Sequence, residues 1–132
     1  MIVLDASALL EVLFNSAVGE RVSQRLRDAE TICAPHLLIV ECLQVLRRFE
    51  HRGEIDATAA GALLDDLLDF DIDFYDHDLL AKRIWELRAN LTAYDATYVA
   101  LAELLGVPMV TTDAKIAGAP GHRAVIELFA PV

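Results

Sequence analysis

The first thirteen residues constrain the fold more than any other stretch of the chain. Ile2, Val3 and Leu4 form a short and wholly apolar run, which is typical of a strand buried on both faces. Asp5 ends this run, and residues 6–13 have the pattern of a helix. In open α/β sheets, ligands bind at the edge where strands end and helices begin. We therefore predict that Asp5 either lies in a binding site or only caps the helix that follows it.

The rest of the chain alternates between short β-prone runs and longer amphipathic segments. Further strands are predicted at residues 31–34, 72–75, 107–113 and 125–128. Further helices are predicted at residues 18–28, 36–51, 56–69, 76–87 (or from 78) and 93–105. Gly118, Pro120 and Gly121 indicate a loop between the last two strands. This alternation predicts an α/β fold with a parallel sheet and helices on both of its faces.

Length and composition narrow the class of protein. A chain of 132 residues is predicted to form a single domain, 1–132. No apolar run approaches the roughly 20 residues of a membrane helix, and the N-terminus lacks a secretory signal, so we expect a cytoplasmic protein without a membrane partner. Cys33 and Cys42 have no metal-type spacing and are predicted to be buried reduced thiols. The hydrophobic content of 55% indicates a homodimer or another partner interface.

Taken over the whole chain, the net charge of −10 argues against binding of nucleic acid, because affinity for phosphate comes from Lys and Arg. A cluster of carboxylates that holds Mg²⁺ would reverse the sign of the charge locally. The basic residues also gather in two groups, which are either solvated helix faces or local contacts for a polyanion: Arg21, Arg25 and Arg27, and Arg47, Arg48 and Arg52. The overall charge therefore does not decide the partner.

Two acids stand at strand ends. Asp113 ends the run 107–113 just as Asp5 ends the first run. Neighbouring parallel strands lie about 4.8 Å apart, so these two carboxylates can share one edge of the sheet. Ser7 and Thr112 offer hydroxyl groups beside them.

Two further acids lie on predicted helices. Glu41 shares a helix face with apolar residues such as Leu38 and Val45, and a buried carboxylate needs a cation or a shifted pKa. Alternatively, Glu41 lies at the edge of the apolar face with its carboxylate in water, or pairs with Arg48. Asp95 stands in the first turn of its helix, where the helix dipole alone would also favour it.

Together, these four acids predict a metal site. Oxygen-only ligands suit Mg²⁺ or Mn²⁺, ions that position phosphates and activate water for in-line attack. The predicted reaction is phosphodiester hydrolysis. A second acidic group is predicted to be mostly a solvated surface: Asp65, Asp66, Asp69, Asp71 and Asp73.

Four short patterns, in this order, give the chain a family resemblance. They are Val3-Leu4-Asp5-Ala6-Ser7, Glu41 within an apolar helix, Tyr94-Asp95-Ala96, and Thr111-Thr112-Asp113. With these, the chain resembles the PIN-domain ribonucleases and, among them, the VapC-type toxins of bacterial toxin–antitoxin pairs. The resemblance extends over essentially the whole chain.

The resemblance implies a three-layer α/β/α fold with a central, mainly parallel sheet. It implies a Mg²⁺- or Mn²⁺-dependent endoribonuclease that forms a homodimer and is silenced by a cognate antitoxin. Asp5, Asp95 and Asp113 would be the main metal ligands, and Glu41 would bind metal directly or through water and orient the attacking water.

The same resemblance suggests roles for neighbouring residues. Ser7 and Thr112 would donate hydrogen bonds that orient the carboxylates. Many relatives carry another acid where this chain has Lys115. That departure leaves the number of metal ions open and makes Lys115 a candidate contact for the RNA phosphate.

The apolar character of the first helix predicts a groove for the antitoxin at Leu9, Leu10 and Leu13, unless this helix is buried inside the monomer. Two other functions remain open. One is a phosphatase with Asp5 as nucleophile, although Ser7 stands where such enzymes have a second Asp. The other is a PIN-like binding module that has lost cleavage.

Overall fold

The computed structural model describes residues 1–131, and a parallel sheet lies at its centre. The strands are β1 (Ile2–Leu4), β2 (Ile32–Pro35), β3 (Asp73–Tyr75), β4 (Met109–Thr111) and β5 (Ile126–Leu128). The helices are α1 (Ala6–Leu13), α2 (Ala17–Asp28), α3 (Leu37–His51), α4 (Ala57–Asp69), α5 (Ala81–Glu86), α6 (Ala93–Leu105) and α7 (Ala114–Gly118). The strand order is β3-β2-β1-β4-β5, and every pair is parallel. The predicted α/β fold is confirmed.

The helices form two layers. The first four helices pack against one another, whereas α5 packs against α6. The chain leaves β1 towards β2 and β3 and then returns to β4 on the other side of β1. Because parallel crossovers are right-handed, this reversal places the two helix groups on opposite faces of the sheet. The result is a three-layer α/β/α arrangement.

The reversal of strand order fixes where a site can form. Val3 of β1 pairs with Met109 of β4, and Leu4 pairs with Val110, so both strands end at the same edge of the sheet. The crevice beyond the carboxyl ends of these two strands is the topological switch point, where open α/β sheets bind ligands. Asp5 and the end of β4 therefore meet at the favoured place.

Helix α6 is the central element of its layer. Each residue from 96 to 102 is buried, and the helix packs against β1, β2 and β4. Apart from Thr97 and Tyr98, its buried residues are apolar. Thr92 caps its start, and Gly106 ends it in the left-handed conformation, with φ +66°. This packing holds the first turn of α6 at the same edge of the sheet as Asp5.

Helix α1 is covered inside the monomer, which corrects part of the predicted antitoxin groove. It packs against α2, α3 and α4. Leu9 and Leu13 are 0% and 5% exposed and belong to the core, so they are not available to a partner. Of the three leucines, only Leu10 is partly exposed, and it lines a surface cleft between α1 and α3. The alternative of a buried first helix holds for two of the three leucines.

Smaller differences concern boundaries. Helix α7 occupies residues for which no helix was predicted, and β4 is shorter than the predicted strand 107–113. Cys33 and Cys42 are free and buried, as expected. No helix among residues 1–131 has the length and apolar character needed to cross a membrane.

Candidate active site

Asp5 caps α1 and also lies at the switch point. Its Oδ1 accepts hydrogen bonds from the Ala8 backbone N–H at 2.9 Å and from the Ser7 hydroxyl at 2.7 Å. Its Oδ2 accepts one from the Thr111 hydroxyl. Asp5 is only 4% exposed, and this burial raises its pKa to about 6, with a smaller contribution from the charge of Asp95, while the three hydrogen bonds act in the opposite direction. Asp5 therefore does cap α1, and it does so at the edge of the sheet where a binding site is predicted.

Thr111, not Thr112, is the threonine that contacts Asp5. Its side chain is fully buried, and its hydroxyl also accepts a hydrogen bond from the Asp113 backbone N–H at 3.0 Å. The reason is strand register: Leu4 lies opposite Val110, so the next residues along each strand, Asp5 and Thr111, are also neighbours. The hydroxyl position predicted for Thr112 is corrected.

Ser7 connects the ends of the two central strands. Its hydroxyl donates to Asp5, accepts from the Thr112 backbone N–H at 3.1 Å, and lies 3.3 Å from the Thr111 hydroxyl. Thr112 thus takes part through its backbone. These contacts fix the loop after β1 against the loop after β4.

Glu41 lies on α3, the helix that follows β2. It accepts a hydrogen bond from the hydroxyl of Tyr98, a buried residue on α6. Burial raises the pKa of Glu41, the Asp95 charge adds to this effect, and the Tyr98 hydrogen bond opposes it. Among residues 1–131, Glu41 has no ion pair, so the alternative pairing with Arg48 is not observed.

Sequence reasoning missed Tyr98. A signal was present, because it is the one large polar side chain in the buried stretch of α6, and a buried tyrosine hydroxyl needs a partner. Tyr98 lies one turn after Asp95 on the same helix. Its hydrogen bond to Glu41 therefore connects α6 to α3.

Asp95 interacts electrostatically with each of the other three acids. Burial raises the pKa of Asp95, and the charge of Asp113 raises it further. The charge of Asp95 in turn raises the pKa of Asp5 and that of Glu41. The cap of α6 is Thr92, whose hydroxyl accepts from the Asp95 N–H at 3.2 Å. Thr92, not Asp95, is therefore the N-cap, while the Asp95 carboxylate keeps the first-turn position that the helix dipole favours.

Asp113 caps the short helix α7, accepting a hydrogen bond from the Lys115 N–H at 2.9 Å. The ammonium of Lys115 is exposed, and its charge lowers the pKa of Asp95. The structure thus brings all four predicted acids to one edge, each from a different loop or helix. The other acidic group, between Asp65 and Asp73, is exposed as predicted.

The donor set fits a hard divalent cation, although it is not a closed cage. Among residues 1–131, no three His, Cys, Asp or Glu side chains come together closely enough to hold a metal ion. Both oxygens of Asp5 already accept hydrogen bonds from the protein. However, all four groups are carboxylates, and several are destabilised by their neighbours' charge, which a cation would relieve. Mg²⁺ keeps several waters and is usually held by only one or two carboxylates together with substrate phosphates.

Comparison with known proteins agrees with this geometry. Residues 2–121 match the family described as the PIN domain. Ribonuclease VapC12 of Mycobacterium tuberculosis is 38% identical over 130 residues, which cover 98% of this chain and 100% of that protein.

Two solved structures share the fold. The M. tuberculosis toxin VapC20, described as cleaving the sarcin–ricin loop, aligns with a TM-score of 0.71 and 16% identity over 95% of this chain and 98% of that one. A toxin–antitoxin complex from Klebsiella pneumoniae aligns with a TM-score of 0.63 and 18% identity over 96% of each chain.

Proposed function

Because the chain belongs to the PIN-domain family, and within it to the VapC ribonucleases, we propose that it is a Mg²⁺- or Mn²⁺-dependent endoribonuclease that acts as the toxin of a toxin–antitoxin pair in the cytoplasm. One observation supports the chemistry most strongly. A buried carboxylate, Asp5, lies at the switch point of the sheet, and the charge of Asp95 raises the pKa of both Asp5 and Glu41, while the charge of Asp113 raises the pKa of Asp95. Such a site is costly to build unless a cation and a phosphate occupy it.

Each acid has a proposed role. Asp5, Asp95 and Asp113 hold the metal, and Glu41 binds it directly or through water and orients the attacking water. When bound, the ion stabilises charge on the phosphate and lowers the pKa of water. Lys115 contacts the RNA phosphate, in keeping with its charge beside Asp95.

Three hydroxyl groups position the acids. Ser7 and Thr111 donate to opposite oxygens of Asp5, so the plane of this carboxylate is fixed before metal or substrate arrives. Tyr98 donates to one oxygen of Glu41 and so restrains that side chain at a single point. Thr112 contributes only its backbone N–H, which donates to the Ser7 hydroxyl.

The phosphatase alternative is disfavoured by the surroundings of Asp5. Ser7 stands where the second Asp would be needed, and its hydroxyl is used to hold Asp5. The second acid that such a phosphatase needs beside its nucleophile is therefore missing at this position.

Cleavage of a labelled cellular RNA mixture by the purified protein tests the function. We expect cleavage with Mg²⁺ or Mn²⁺, none with a chelator, and none by Asp5→Asn, which keeps the fold. Asp71→Asn is the matched control, because Asp71 is an exposed acid outside the site. Full activity in a folded Asp5→Asn protein would reject the metal site, and intact binding of RNA without any cutting by the wild type would favour the inactive binding module.

The proposed partners are RNA, a cognate antitoxin and a second copy of the chain. A toxin–antitoxin complex is among the structural neighbours. Of the three leucines predicted for an antitoxin groove, only Leu10 is accessible, so Leu10 is the remaining candidate. The substitution Leu13→Asp is unsuitable as a probe of antitoxin binding, because it would bury a charge in the core.

A further inference from the structure

A cleft of about 480 Å³ opens directly beside the acids. Ser7 and Glu41 form part of its wall, so the cleft is continuous with the candidate active site. The remaining wall comes from α1, α3 and the first turn of α6, and includes Gln44, Arg48 and Tyr94. Its volume lies within the range of natural small-ligand pockets. If the acids bind the phosphate that is cleaved, the cleft can hold the part of the substrate next to that phosphate.

Tyr94 is unusual in its exposure. Its side chain is 62% exposed although it directly precedes Asp95, which is half-buried. Among residues 1–131, no other aromatic ring packs against it. Most of the ring is therefore open to solvent and to a ligand in the cleft. An exposed ring at the rim of a phosphate-cleaving site offers a flat surface on which a nucleobase can stack.

Arg48 provides the charge that a nucleotide needs. Glu41, Gln44 and Arg48 follow one another at helical spacing on α3 and face the same cleft. Arg48 is exposed and, within the described part of the chain, pairs with no carboxylate. In a chain of net charge −10, an unpaired guanidinium next to the acids attracts a phosphate where most of the surface repels it. Gln44 supplies both a donor and an acceptor for a base edge.

We propose that this cleft is a subsite for one unpaired nucleotide of the RNA, in which Tyr94 stacks on the base, Arg48 binds the phosphate and Gln44 contacts the base edge. The inference rests on the proposed ribonuclease function. A base can enter the cleft only if it is unpaired, so the subsite predicts that a duplex binds more weakly than a single strand.

Binding is measured by fluorescence anisotropy with a fluorescein-labelled single-stranded RNA of roughly twelve nucleotides, in the presence of Mn²⁺. The background is Asp5→Asn, in which no cutting is expected. Adding Tyr94→Ala should weaken binding roughly tenfold, whereas Tyr94→Phe should bind like the background because it keeps the ring. The matched control is Trp85→Ala, because Trp85 is equally exposed, at 66%, but does not line the cleft.

Arg48 is tested by salt dependence. Arg48→Gln should weaken binding and reduce the slope of log affinity against log salt by roughly one phosphate contact. Arg47→Gln is the control, because Arg47 is the adjacent exposed residue and lines a different surface hollow. A duplex of the same sequence should bind the background protein more weakly than the single strand.

Several results would overturn the subsite. Equal RNA affinity with and without Tyr94→Ala, equal affinity for duplex and single strand, or no RNA binding by the background protein would each do so. Loss of self-association or antitoxin binding in Tyr94→Ala, with RNA affinity unchanged, would show that the cleft is a protein interface instead. None of these outcomes depends on cutting, so a wild type that fails to cleave RNA counts separately against the proposed function.

Discussion

At the scale of single residues, the ionised carboxylate of Asp5 lowers the stability of the folded protein. The carboxylate is buried, and its pKa is raised from 3.8 to about 6, so it is mainly ionised at neutral pH at a cost to folding. Two pKa units correspond to about 3 kcal/mol. Asn can replace it without a clash: Oδ1 still accepts from Ala8 and Ser7, while the Thr111 hydroxyl can turn to accept from the new amide. We expect Asp5→Asn to be inactive and yet more stable than the wild type at pH 7.

The pH dependence gives the sign of this effect. Because the folded protein holds the Asp5 proton more tightly than the unfolded chain, wild-type stability falls as pH rises from 3.8 to about 6. The variant lacks this titration. Denaturant unfolding at several pH values should show no difference near pH 3.8 or below, and an advantage for Asp5→Asn of about 3 kcal/mol above pH 6. An advantage for the wild type at neutral pH would mean that Asp5 is not desolvated as described.

A second prediction at this scale separates two adjacent threonines. Thr111→Val removes the donor to Asp5 and leaves the Asp113 N–H without its acceptor inside a buried site. This should destabilise the protein by about 1–3 kcal/mol and slow cleavage. Thr112→Val keeps the backbone N–H that bonds Ser7 and should change stability by only about 0.5 kcal/mol. Denaturant unfolding and cleavage rates of the two variants measure the difference, and equal effects would contradict the assignment to Thr111.

At the scale of elements, the four acids were predictable because each one interrupts a local pattern. Asp5 and Asp113 end apolar runs, Asp95 opens a helix, and Glu41 lies on an apolar helix face. Thr111 was not predictable from composition, because only the register between β1 and β4 places it beside Asp5. The hydrogen bond from Tyr98 to Glu41 could be predicted only if the proximity of α3 and α6 were already known.

The first helix shows the same limit. Apolar residues nearly around the whole of α1 indicate that most of its sides are covered, but not whether by a partner or by the same chain. The tertiary contacts of α1 with α2, α3 and α4 decide this for Leu9 and Leu13. Periodicity alone could not distinguish these two cases.

The contact between α1 and α2 depends on a glycine. A Cβ atom at Gly19 would lie 2.0 Å from the Glu11 carbonyl oxygen, a backbone atom that cannot move without shifting α1. Gly19→Ala should therefore destabilise the protein by about 1–3 kcal/mol or more. Gly61→Ala is a matched control, since Gly61 lies in α4 with nothing within 4 Å, and helix propensity predicts a gain of up to about 1 kcal/mol. Thermal unfolding measures both effects. A lower melting temperature for Gly19→Ala and a higher one for Gly61→Ala would support the close approach of α1 and α2. An unchanged melting temperature for Gly19→Ala would contradict it.

At the scale of the whole molecule, the acid group links both helix layers to the sheet. Because Asp95 raises the pKa of both Asp5 and Glu41, repulsion at this edge opposes the assembled fold. A cation that binds only the folded chain should relieve it, so millimolar Mn²⁺ or Mg²⁺ should raise the melting temperature. The increase should shrink in Glu41→Gln and in Asp113→Asn and stay unchanged in Asp71→Asn. A melting temperature indifferent to Mn²⁺ would mean that the acids do not share a cation.

Self-association is the remaining expectation at this scale, and the surface supports it. Several large apolar side chains are more than half exposed on different elements: Val40, Leu68, Leu79, Trp85, Leu104 and Val125. Such exposure in a chain of 55% hydrophobic residues favours burial against a second copy. Each protomer carries a net charge of −10, however, so the two copies repel each other and the interface must be held by apolar contact.

This balance predicts opposite responses to salt. Added salt screens the repulsion between protomers and should strengthen the homodimer. The same salt should weaken RNA binding through Arg48 and Lys115, and it should also weaken the binding of a basic antitoxin segment. Sedimentation velocity at micromolar concentration, in low and high salt, measures the first response, and fluorescence anisotropy with labelled RNA measures the second. A clean monomer under both conditions would refute the dimer. A dimer that dissociates when salt is added would show that ion pairs hold the two copies together, and would move the search for the interface from the exposed apolar side chains to the charged helix faces.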